Sequence, residues 1–502
     1  MKIKEDKYWQ NTIKKAGSNI PFYCIPESLD DLSEIIKMAE GQSKRVKAVG
    51  SGHSFSDVAL PVHYLVDLKK LDNLLVLDPE KIKPAYRNRN LINVEGGMTI
   101  QKFNRLMDKK GLCIKNMGGI DNQTLAGAIS TGTHGTGIDL PSLPGMVHSM
   151  VLVSSNGKKY RVEPTDGVTD PAKYNEPEIE LIQDDHHFKS CMVSLGCFGI
   201  IYSFILEMEN MYYLRESKEL LSWTDVKPRL IDKSLFFEED GVTPIRGMMF
   251  QINPYKVNND HSCIVVKHRL LSGKPKRDLN DSKRNVWSSV GGSFPFGIFA
   301  FWLVKKRARN NPEKFVNILD SALKRLKDKR YENEGYKVLY QGVEYLKVRA
   351  YDSEFAFDLG NDSTAYIDAL EEMFELAEKN QARNWYQTSP MGIRFVDRSA
   401  AYLSPEYDKK VAYIDAPFLL GTPHSDDILK SYQEIMYKHG GIPHWGKINT
   451  ILNDHKDQIK DLYPMLGEWE KVFRKFNPKG TFNNQFTDRL GLGNLTGGDL
   501  PA

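Results

Sequence analysis

The chain has 502 residues and nearly balanced charge, with 68 lysines and arginines against 65 aspartates and glutamates and a net charge of +3. That length is too great for one ordinary hydrophobic core, so two domains able to bury a large cofactor between them are expected. The charge balance gives no broad electrostatic basis for binding nucleic acid, although it leaves room for a small anionic substrate.

The cysteines and the first residues indicate the compartment. The chain has five cysteines, an odd number, and no CxxC pair, which fits neither a disulfide framework nor a zinc site, so no metal site is predicted. The opening residues lack the apolar stretch of a signal peptide. A reducing, cytoplasmic location is therefore expected.

Helix and strand signals alternate in the first third of the chain. Ser28 has an acidic residue three positions later and precedes an apolar face of Leu32, Ile35 and Ile36, which predicts a capped helix ending near Gly41. The same signals predict strands over 45–49, 64–68 and 91–95 and a second helix over 99–110. This alternation of helix and strand signals indicates an α+β fold.

The texture changes near Asn210 to longer segments with aromatic alternation and charged helices, and the motif-rich texture returns over 440–492. We therefore expect a first domain over 1–210, a second over 211–439, and a C-terminal segment over 440–502 that completes the first.

A loop of sequence VGSGHSF follows the strand that ends near position 49. Two glycines and two serines let successive backbone N–H groups converge on an anion, which suits a pyrophosphate. The alternative is a tight glycine turn that carries a surface histidine. Phe55 stands where the dinucleotide fingerprint needs its third glycine, which disfavours a nicotinamide-binding Rossmann domain.

A second glycine-rich stretch covers 118–145 and has almost no regular apolar periodicity. Its small residues admit a planar or phosphorylated ligand at close range, and its Thr and Ser hydroxyls supply hydrogen-bond donors. We expect a long structureless loop, either functional or merely a surface connection.

A GxxxxGK pattern over 441–447 is not a phosphate-cradling loop, because Ile448 stands where a Ser or Thr is needed and Pro443 removes an N–H. His444 and Lys447 lie three positions apart and converge on one ligand if the segment is helical or tightly turned.

Five segments in this order resemble the FAD-linked oxidases of the vanillyl-alcohol oxidase/p-cresol methylhydroxylase superfamily, nearest the aldonolactone oxidase and alditol oxidase branch. They are GSGHS (50–54), QTLAGAISTGTHGTG (123–137), SLGCFGI (194–200), HWGK (444–447) and FNPKGTF (476–482). The resemblance implies an α+β fold with a two-subdomain FAD-binding domain and a cap domain built on an antiparallel sheet with flanking helices.

The resemblance also implies a cofactor and its contacts. The histidine of the GHS loop in such proteins is often bonded to the flavin 8α carbon, so FAD is expected to be covalent through His53. The cofactor contacts that the resemblance implies are Val49, Gly50, Ser51, Gly52, His53, Ser54, Phe55, Gly118, Gly119, Thr124, Gly127, Ala128, Thr131, Thr133, His134, Gly135, Gly199, Ile200 and His444.

Two catalytic residues follow from the same resemblance. Arg394 lies in the segment where sugar-oxidising members carry Glu-x-Arg, but here Gly392 replaces the acid. Its charge does not titrate, and it is suited to stabilise a developing alkoxide or reduced-flavin anion. Lys447 matches the family lysine that reaches the substrate hydroxyl, and it is expected to help deprotonate that hydroxyl if its pKa is lowered.

An uncharged aromatic segment over 286–304 lies between basic clusters. Its glycines and Pro295 would interrupt a membrane-spanning helix, so a peripheral contact with a membrane surface is expected. Buried cap core, a protein contact and an entrance for an apolar substrate are the alternatives.

The leading functional hypothesis is an oxidase that reduces FAD with an alcohol or lactone and passes the electrons to oxygen, giving hydrogen peroxide. Gly118 lies where oxygen-reactive members of the family tend to have glycine. The rivals are a dehydrogenase that hands electrons to a quinone or cytochrome, with a sterol-like alcohol as one substrate, and a flavin-binding protein without activity, motivated by the missing acid at Gly392.

Overall fold

The computed structural model describes residues 1–276, 306–342, 350–360 and 364–495. The segment over 286–304 lies outside these residues, so its expected membrane contact stays a prediction. Among the described helices, none has both the length and the apolar character needed to cross a bilayer.

Two sheets occupy the N-terminal part of the chain. The first contains β1 (Lys2–Gln10), β2 (Gly17–Ile25), β3 (Val46–Val49) and β4 (Tyr64–Asp67) in the order β1-β2-β4-β3. The second contains β5 (Leu74–Leu75), β6 (Leu91–Glu95), β8 (Val147–Val153), β9 (Lys159–Glu163), β10 (Ile179–Gln183) and β11 (Ile200–Glu207) in the order β10-β9-β8-β11-β6-β5. A short pair, β7 (Leu112–Cys113) and β12 (Glu209–Asn210), lies beside them.

A third sheet of eight strands is antiparallel in all its pairings and begins after Asn210. Its strands are β13 (Tyr213–Ser222), β14 (Gly247–Ile252), β15 (Ser262–Leu271), β16 (Arg330–Glu334), β17 (Ala350–Asp358), β18 (Met391–Val396), β19 (Val411–Leu419) and β20 (Ile442–Pro443). Their order is β16-β13-β15-β14-β18-β19-β17-β20. The predicted mixed fold with an antiparallel cap sheet is confirmed.

The α-helices pack against these sheets. Ser28 caps the first helix, as predicted, by accepting a hydrogen bond from Asp31 N, and Thr99 caps the second by accepting from Lys102 N. The described helices are Leu29–Gly41, Ile100–Lys109, Leu125–Ser130, Asp185–Met192, Trp223–Ile231, Phe315–Lys324, Gly335–Leu339, Ala365–Gln381, Ser425–Lys438, Ile451–Asp454, Ile459–Leu462, Leu466–Phe476 and Gln485–Arg489.

One expectation about the second glycine-rich stretch is wrong. It is not a structureless loop, because a short helix runs over Leu125–Ser130 with Thr124 as its N-cap. Leu125 and Ile129 are buried in the core. Only two strongly apolar side chains mark this helix, so periodicity cannot reveal it.

The C-terminal segment contacts the N-terminal part. Val46 N in β3 donates to Thr481 O at 2.7 Å. Asn484 Nδ2 donates to Val58 O at 3.1 Å and to Leu60 O at 2.9 Å. These bonds hold the chain after position 476 against the segments on both sides of the GSGHS loop.

Candidate functional site

A cleft opens where β3, the helix over Leu125–Ser130 and the start of β11 meet. Its volume is about 760 Å³, including space open to solvent. Of the predicted cofactor contacts, it is lined by Val49, Gly50, Ser51, Gly52, His53, Ser54, Thr124, Gly127, Ala128, Thr131 and Gly199. Lining residues that sequence reasoning missed are Lys47, Ala48, Val58, Ala59, Leu68, Gln123, Ala126, Ser130, Leu195, Gly196 and Ile201.

The GSGHS loop is held close to the helix over Leu125–Ser130. A Cβ added at Gly50 would lie 2.0 Å from Thr124 Oγ1, so only glycine permits this approach. Gly52 has φ of 71°, a left-handed conformation that disfavours side chains. Ser51 Oγ donates to Asn122 O at 2.5 Å. The loop therefore exposes backbone to the cleft in a fixed shape.

His53 lies in this loop, on the wall of the cleft. Burial lowers the pKa of His53 below its ordinary value. Its imidazole is therefore neutral at pH 7 and keeps a nitrogen lone pair, which is the form that acts as a nucleophile.

The opposite wall contains a strained turn with a lysine beneath it. Leu195 and Gly196 both have positive φ, 54° and 65°. The Lys47 amine donates to Leu195 O at 2.9 Å and to Gly196 O at 3.3 Å. Lys47 is buried, and burial lowers its pKa. Both of these hydrogen-bond acceptors are carbonyl oxygens and not carboxylates.

The residues that line this cleft fit FAD. The glycine-lined wall admits a ligand at close range, and a cation lies beside it for a pyrophosphate. The buried Gln123 Oε1 on the wall accepts no hydrogen bond within the described residues, a deficit that a ligand donor would remove.

The other predicted cofactor contacts do not line the cleft. Thr133 and Gly118 are neighbours, since a Cβ on Gly118 would lie 3.2 Å from Thr133 Cγ2. Gly135 packs tightly on Asn116, and Ile200 is buried in β11. Their sequence assignment to the cofactor stays a prediction. Phe55, Gly119, His134 and His444 instead meet at a second cluster, together with Arg394 and Lys447.

This second cluster consists of charged residues from three strands and one turn. Lys447 Nζ lies 2.7 Å from Asp352 Oδ2 and 3.2 Å from Glu354 Oε2, both on β17. His134 Nε2 lies 3.4 Å from Glu354 Oε1, and its ring stacks on Tyr413 at a centroid distance of 3.8 Å. The motifs that carry His134 and Lys447 are thus joined through one carboxylate.

Two contacts connect the cluster with the predicted cofactor loops. Phe55 N donates to Gly446 O at 2.7 Å, and Lys447 Nζ lies 5.4 Å from the centre of the Phe55 ring. A Cβ on Gly119 would lie 3.9 Å from Arg394 Nη2. Arg394 and Lys447 are partly exposed, whereas Glu354 is buried, so the two cations face open space beside these loops.

The surroundings of Lys447 do not favour its expected role as a base, which stays a prediction. Burial alone would lower the pKa of Lys447, but Asp352, Glu354 and Asp415 raise it above its ordinary value. The side chain is therefore a permanent ammonium that donates hydrogen bonds. The sequence could not show this, because the carboxylates come from other strands.

The missing acid at Gly392 is also explained by the sheet. Gly392 on β18 pairs with Asp415 on β19. A Cβ on Gly392 would lie 1.9 Å from Asp415 Oδ1, so the Asp415 carboxylate occupies the space of a side chain at position 392. Sequence reasoning missed Asp352, Glu354 and Asp415, because only strand register brings them to Arg394 and Lys447.

His444 supports the turn that carries Lys447. Its Nδ1 accepts from Gly446 N at 3.0 Å, so the proton resides on Nε2, which lies 3.3 Å from Gly132 O. Burial lowers the pKa of His444 to about 3, so the ring is neutral. The side chains of His444 and Lys447 contact different partners, Gly132 and the β17 carboxylates.

The fold and the cleft define an FAD-linked oxidoreductase. The model of a family described as FAD binding domain matches residues 20–163, and that of D-arabinono-1,4-lactone oxidase matches residues 262–490. The chain therefore contains an FAD-binding domain and an aldonolactone oxidase-like domain, and it is an oxidoreductase acting on CH–OH groups.

Relatives match over nearly the whole chain. L-gulonolactone oxidase of Bos taurus is 24% identical over 96% of this chain and 98% of its own. L-gulono-1,4-lactone dehydrogenase of Mycobacterium tuberculosis is 24% identical over 93% of this chain and 94% of its own. D-arabinono-1,4-lactone oxidase of Yarrowia lipolytica is 27% identical over 97% of each.

Among solved structures, a cholesterol oxidase from B. sterolicum superposes with a TM-score of 0.74 over 97% of each chain at 15% identity. At this identity the likeness shows a shared fold.

Proposed function

We propose that the enzyme oxidises the hydroxyl-bearing carbon of a sugar lactone or polyol and passes the electrons from FAD to oxygen, giving hydrogen peroxide. The observation that carries the proposal is the cluster of Arg394, Lys447 and three carboxylates, which opens beside the predicted cofactor loops.

The chemistry of the cluster favours a substrate with several hydroxyls. Each hydroxyl both donates and accepts, so it satisfies a cation and a carboxylate together. A sterol-like alcohol carries one hydroxyl, so its apolar body would desolvate the charged groups without offering them hydrogen bonds, at a cost of several kcal/mol in order of magnitude. The relatives named for aldonolactones point the same way.

The residues of the cluster have different roles in the proposed reaction. FAD, when bound, accepts a hydride from the substrate carbon. The Arg394 guanidinium and Lys447 ammonium stabilise the negative charge that develops on the substrate oxygen. Asp352 and Glu354 hold the ammonium in place, and burial alone would raise the pKa of Glu354, but Lys447 and His134 lower it well below its usual value. Glu354 therefore stays ionised.

We further propose that FAD is covalent through His53. The imidazole on the cleft wall supports this assignment, because its lowered pKa keeps it unprotonated and bond formation at the flavin needs an unprotonated ring nitrogen.

An anaerobic reduction experiment tests the proposed function. Purified enzyme is mixed without oxygen with L-gulono-1,4-lactone, D-arabinono-1,4-lactone, xylitol and a sterol, and flavin absorbance is followed. We expect bleaching by a lactone or the polyol, and recovery with peroxide formation on admitting air. Bleaching by the sterol alone would contradict the substrate class. Recovery only with a quinone or cytochrome would favour the dehydrogenase alternative, which the M. tuberculosis relative's name represents.

Gly118→Ala tests the choice of oxygen as acceptor. The added methyl would lie 3.2 Å from Thr133 Cγ2 and 3.5 Å from His134 O, filling space beside the charged cluster. We expect reoxidation by oxygen to slow about tenfold, roughly 1.4 kcal/mol in barrier, with reduction by substrate little changed. Stopped-flow measurements give the rates of flavin reduction and of reoxidation separately. Equal slowing of both half-reactions would contradict a specific role of Gly118 in the reaction with oxygen.

Lys47→Met tests the contribution of the buried cation to FAD binding. It keeps the apolar stem and removes the charge beneath the turn at Leu195. Because a covalent bond would hide affinity, the change is made in a His53→Ala background. We expect the Kd for FAD to rise about ten- to a hundredfold, since a charged hydrogen bond contributes roughly 1.5–3 kcal/mol. Lys379→Met, on an exposed helix face, is the control.

A further inference from the structure

We propose that Asp415 is the proton acceptor of the reaction, the carboxylate that binds the reacting hydroxyl and takes its proton. This inference rests on the proposed function and deepens it, because it assigns the acid that position 392 lacks to the neighbouring strand.

The first step of the argument is that the other acids of the cluster are engaged. Asp352 accepts from Lys447, and Glu354 lies between Lys447 and His134. Within the described residues, Asp415 forms neither an ion pair nor a hydrogen bond, and its side chain is partly exposed. Asp352 Oδ1 also lacks a hydrogen bond within the described residues, but it is buried, so Asp415 is the cluster carboxylate that is both unpaired and accessible to a ligand.

The second step is position. The register β18–β19 places Asp415 opposite Gly392, and β17–β19 places it opposite Glu354. Its Oδ1 lies over the Cα of Gly392, two residues from Arg394 on the same strand. Any side chain at position 392 would displace it. Glycine at 392 and aspartate at 415 therefore form a matched pair that presents one carboxylate beside Arg394.

The third step is electrostatics. Arg394 on β18, Asp352 and Glu354 on β17 and Lys447 after β20 all act on Asp415. Burial raises the pKa of Asp415 to about 6, with Arg394 opposing and the two β17 carboxylates adding to the rise. A carboxylate with this pKa is ionised at pH 7 and takes a proton more readily than an ordinary aspartate.

The step is balanced as a two-electron oxidation. The substrate C–H bond breaks and its hydride passes to FAD, while the O–H bond breaks and its proton passes to the Asp415 carboxylate. The carbon–oxygen double bond forms, and Arg394 and Lys447 hold the oxygen. Asp415 then releases the proton through the open side of the cluster.

Asp415→Asn tests the assignment in the holoenzyme, with L-gulono-1,4-lactone and D-arabinono-1,4-lactone as probes. A positioned base contributes on the order of 10²–10⁴ in rate, so anaerobic flavin reduction at pH 8 is expected to slow at least about a hundredfold. The wild-type rate should fall as pH decreases through about 6, because the acceptor becomes protonated, and this acid limb should disappear in the variant.

Relocating the acid supplies a second test. Gly392→Asp combined with Asp415→Gly puts a carboxyl into the volume that Asp415 leaves. The double variant should reduce flavin at least about tenfold faster than Asp415→Gly alone, a difference of roughly 1.4 kcal/mol in barrier. Infrared difference titration adds a readout independent of turnover: a carboxyl that protonates near pH 6 should be lost in Asp415→Asn. Glu219→Gln, which removes a carboxylate at the solvent side of the same sheet, is the matched control.

The outcomes are distinguishable. A wild-type enzyme that no lactone or polyol reduces contradicts the proposed function itself. Rapid reduction of both wild type and Asp415→Asn, or an acid limb and infrared band that persist in Asp415→Asn, overturns the assignment of Asp415 and leaves the proposed function standing.

Discussion

His53→Ala is expected to abolish covalent retention of FAD completely. Wild-type protein precipitated in acid should keep its yellow colour in the pellet, whereas the variant should release all flavin to the supernatant. The reason is that, in the proposed covalent attachment, the neutral His53 imidazole on the cleft wall is the nucleophile that bonds to the flavin 8α carbon.

The matched control is His63→Ala, a partly buried histidine of the same sheet region that does not line the cleft. It should keep its flavin in the pellet. Flavin that leaves wild-type protein in acid would show that the bond is absent, and non-covalent binding in the same cleft would then account for the cofactor.

Features set by local sequence could be predicted closely. The caps at Ser28 and Thr99 begin their helices where expected, because a side-chain oxygen followed by an apolar helical face is a short-range signal. The GSGHS loop lines the cleft as the backbone freedom of its glycines implied. Both depend on fewer than ten consecutive residues.

Contacts that depend on strand register could not be predicted from the sequence. Asp352, Glu354, Asp415 and Lys447 come from β17, β19 and the turn after β20, and only hydrogen-bonded pairing brings them together. Lys47 was missed because its position in a strand gives no sign that its amine reaches the turn at Leu195. No pattern within a single segment contains these contacts.

Register also reverses two interpretations drawn from sequence. From sequence, Gly392 indicates the loss of an acid and favours a protein without activity, yet Asp415 occupies that space. From sequence, Lys447 acts as a base only if its pKa is lowered, yet the carboxylates of neighbouring strands raise that pKa. A residue's charge state in a buried cluster depends on partners distant in the chain.

Arg394→Ala and Lys447→Ala are expected to slow flavin reduction by substrate about a hundredfold or more, the usual cost of losing a charge-stabilising contact. Both cations face the substrate side of the proposed site, while the cleft that suits the pyrophosphate lies along other residues. Bound flavin per polypeptide should therefore stay near the wild-type value. Anaerobic stopped-flow absorbance measures the reduction.

The two variants should differ in stability, which separates a role in charge stabilisation from a role in folding. Lys447→Ala leaves Asp352 and Glu354 without their ammonium, and breaking such a buried pair typically costs roughly 3–5 kcal/mol. Within the described part of the chain Arg394 forms no ion pair of this kind, so Arg394→Ala should lower the Tm less. Lys447→Arg restores the positive charge and should recover most of the stability. The control is Lys227→Ala, which breaks a surface pair with Glu371 and should leave both the reduction rate and the Tm near wild type. Unchanged reduction rates in Arg394→Ala and Lys447→Ala would exclude both residues from the chemical step.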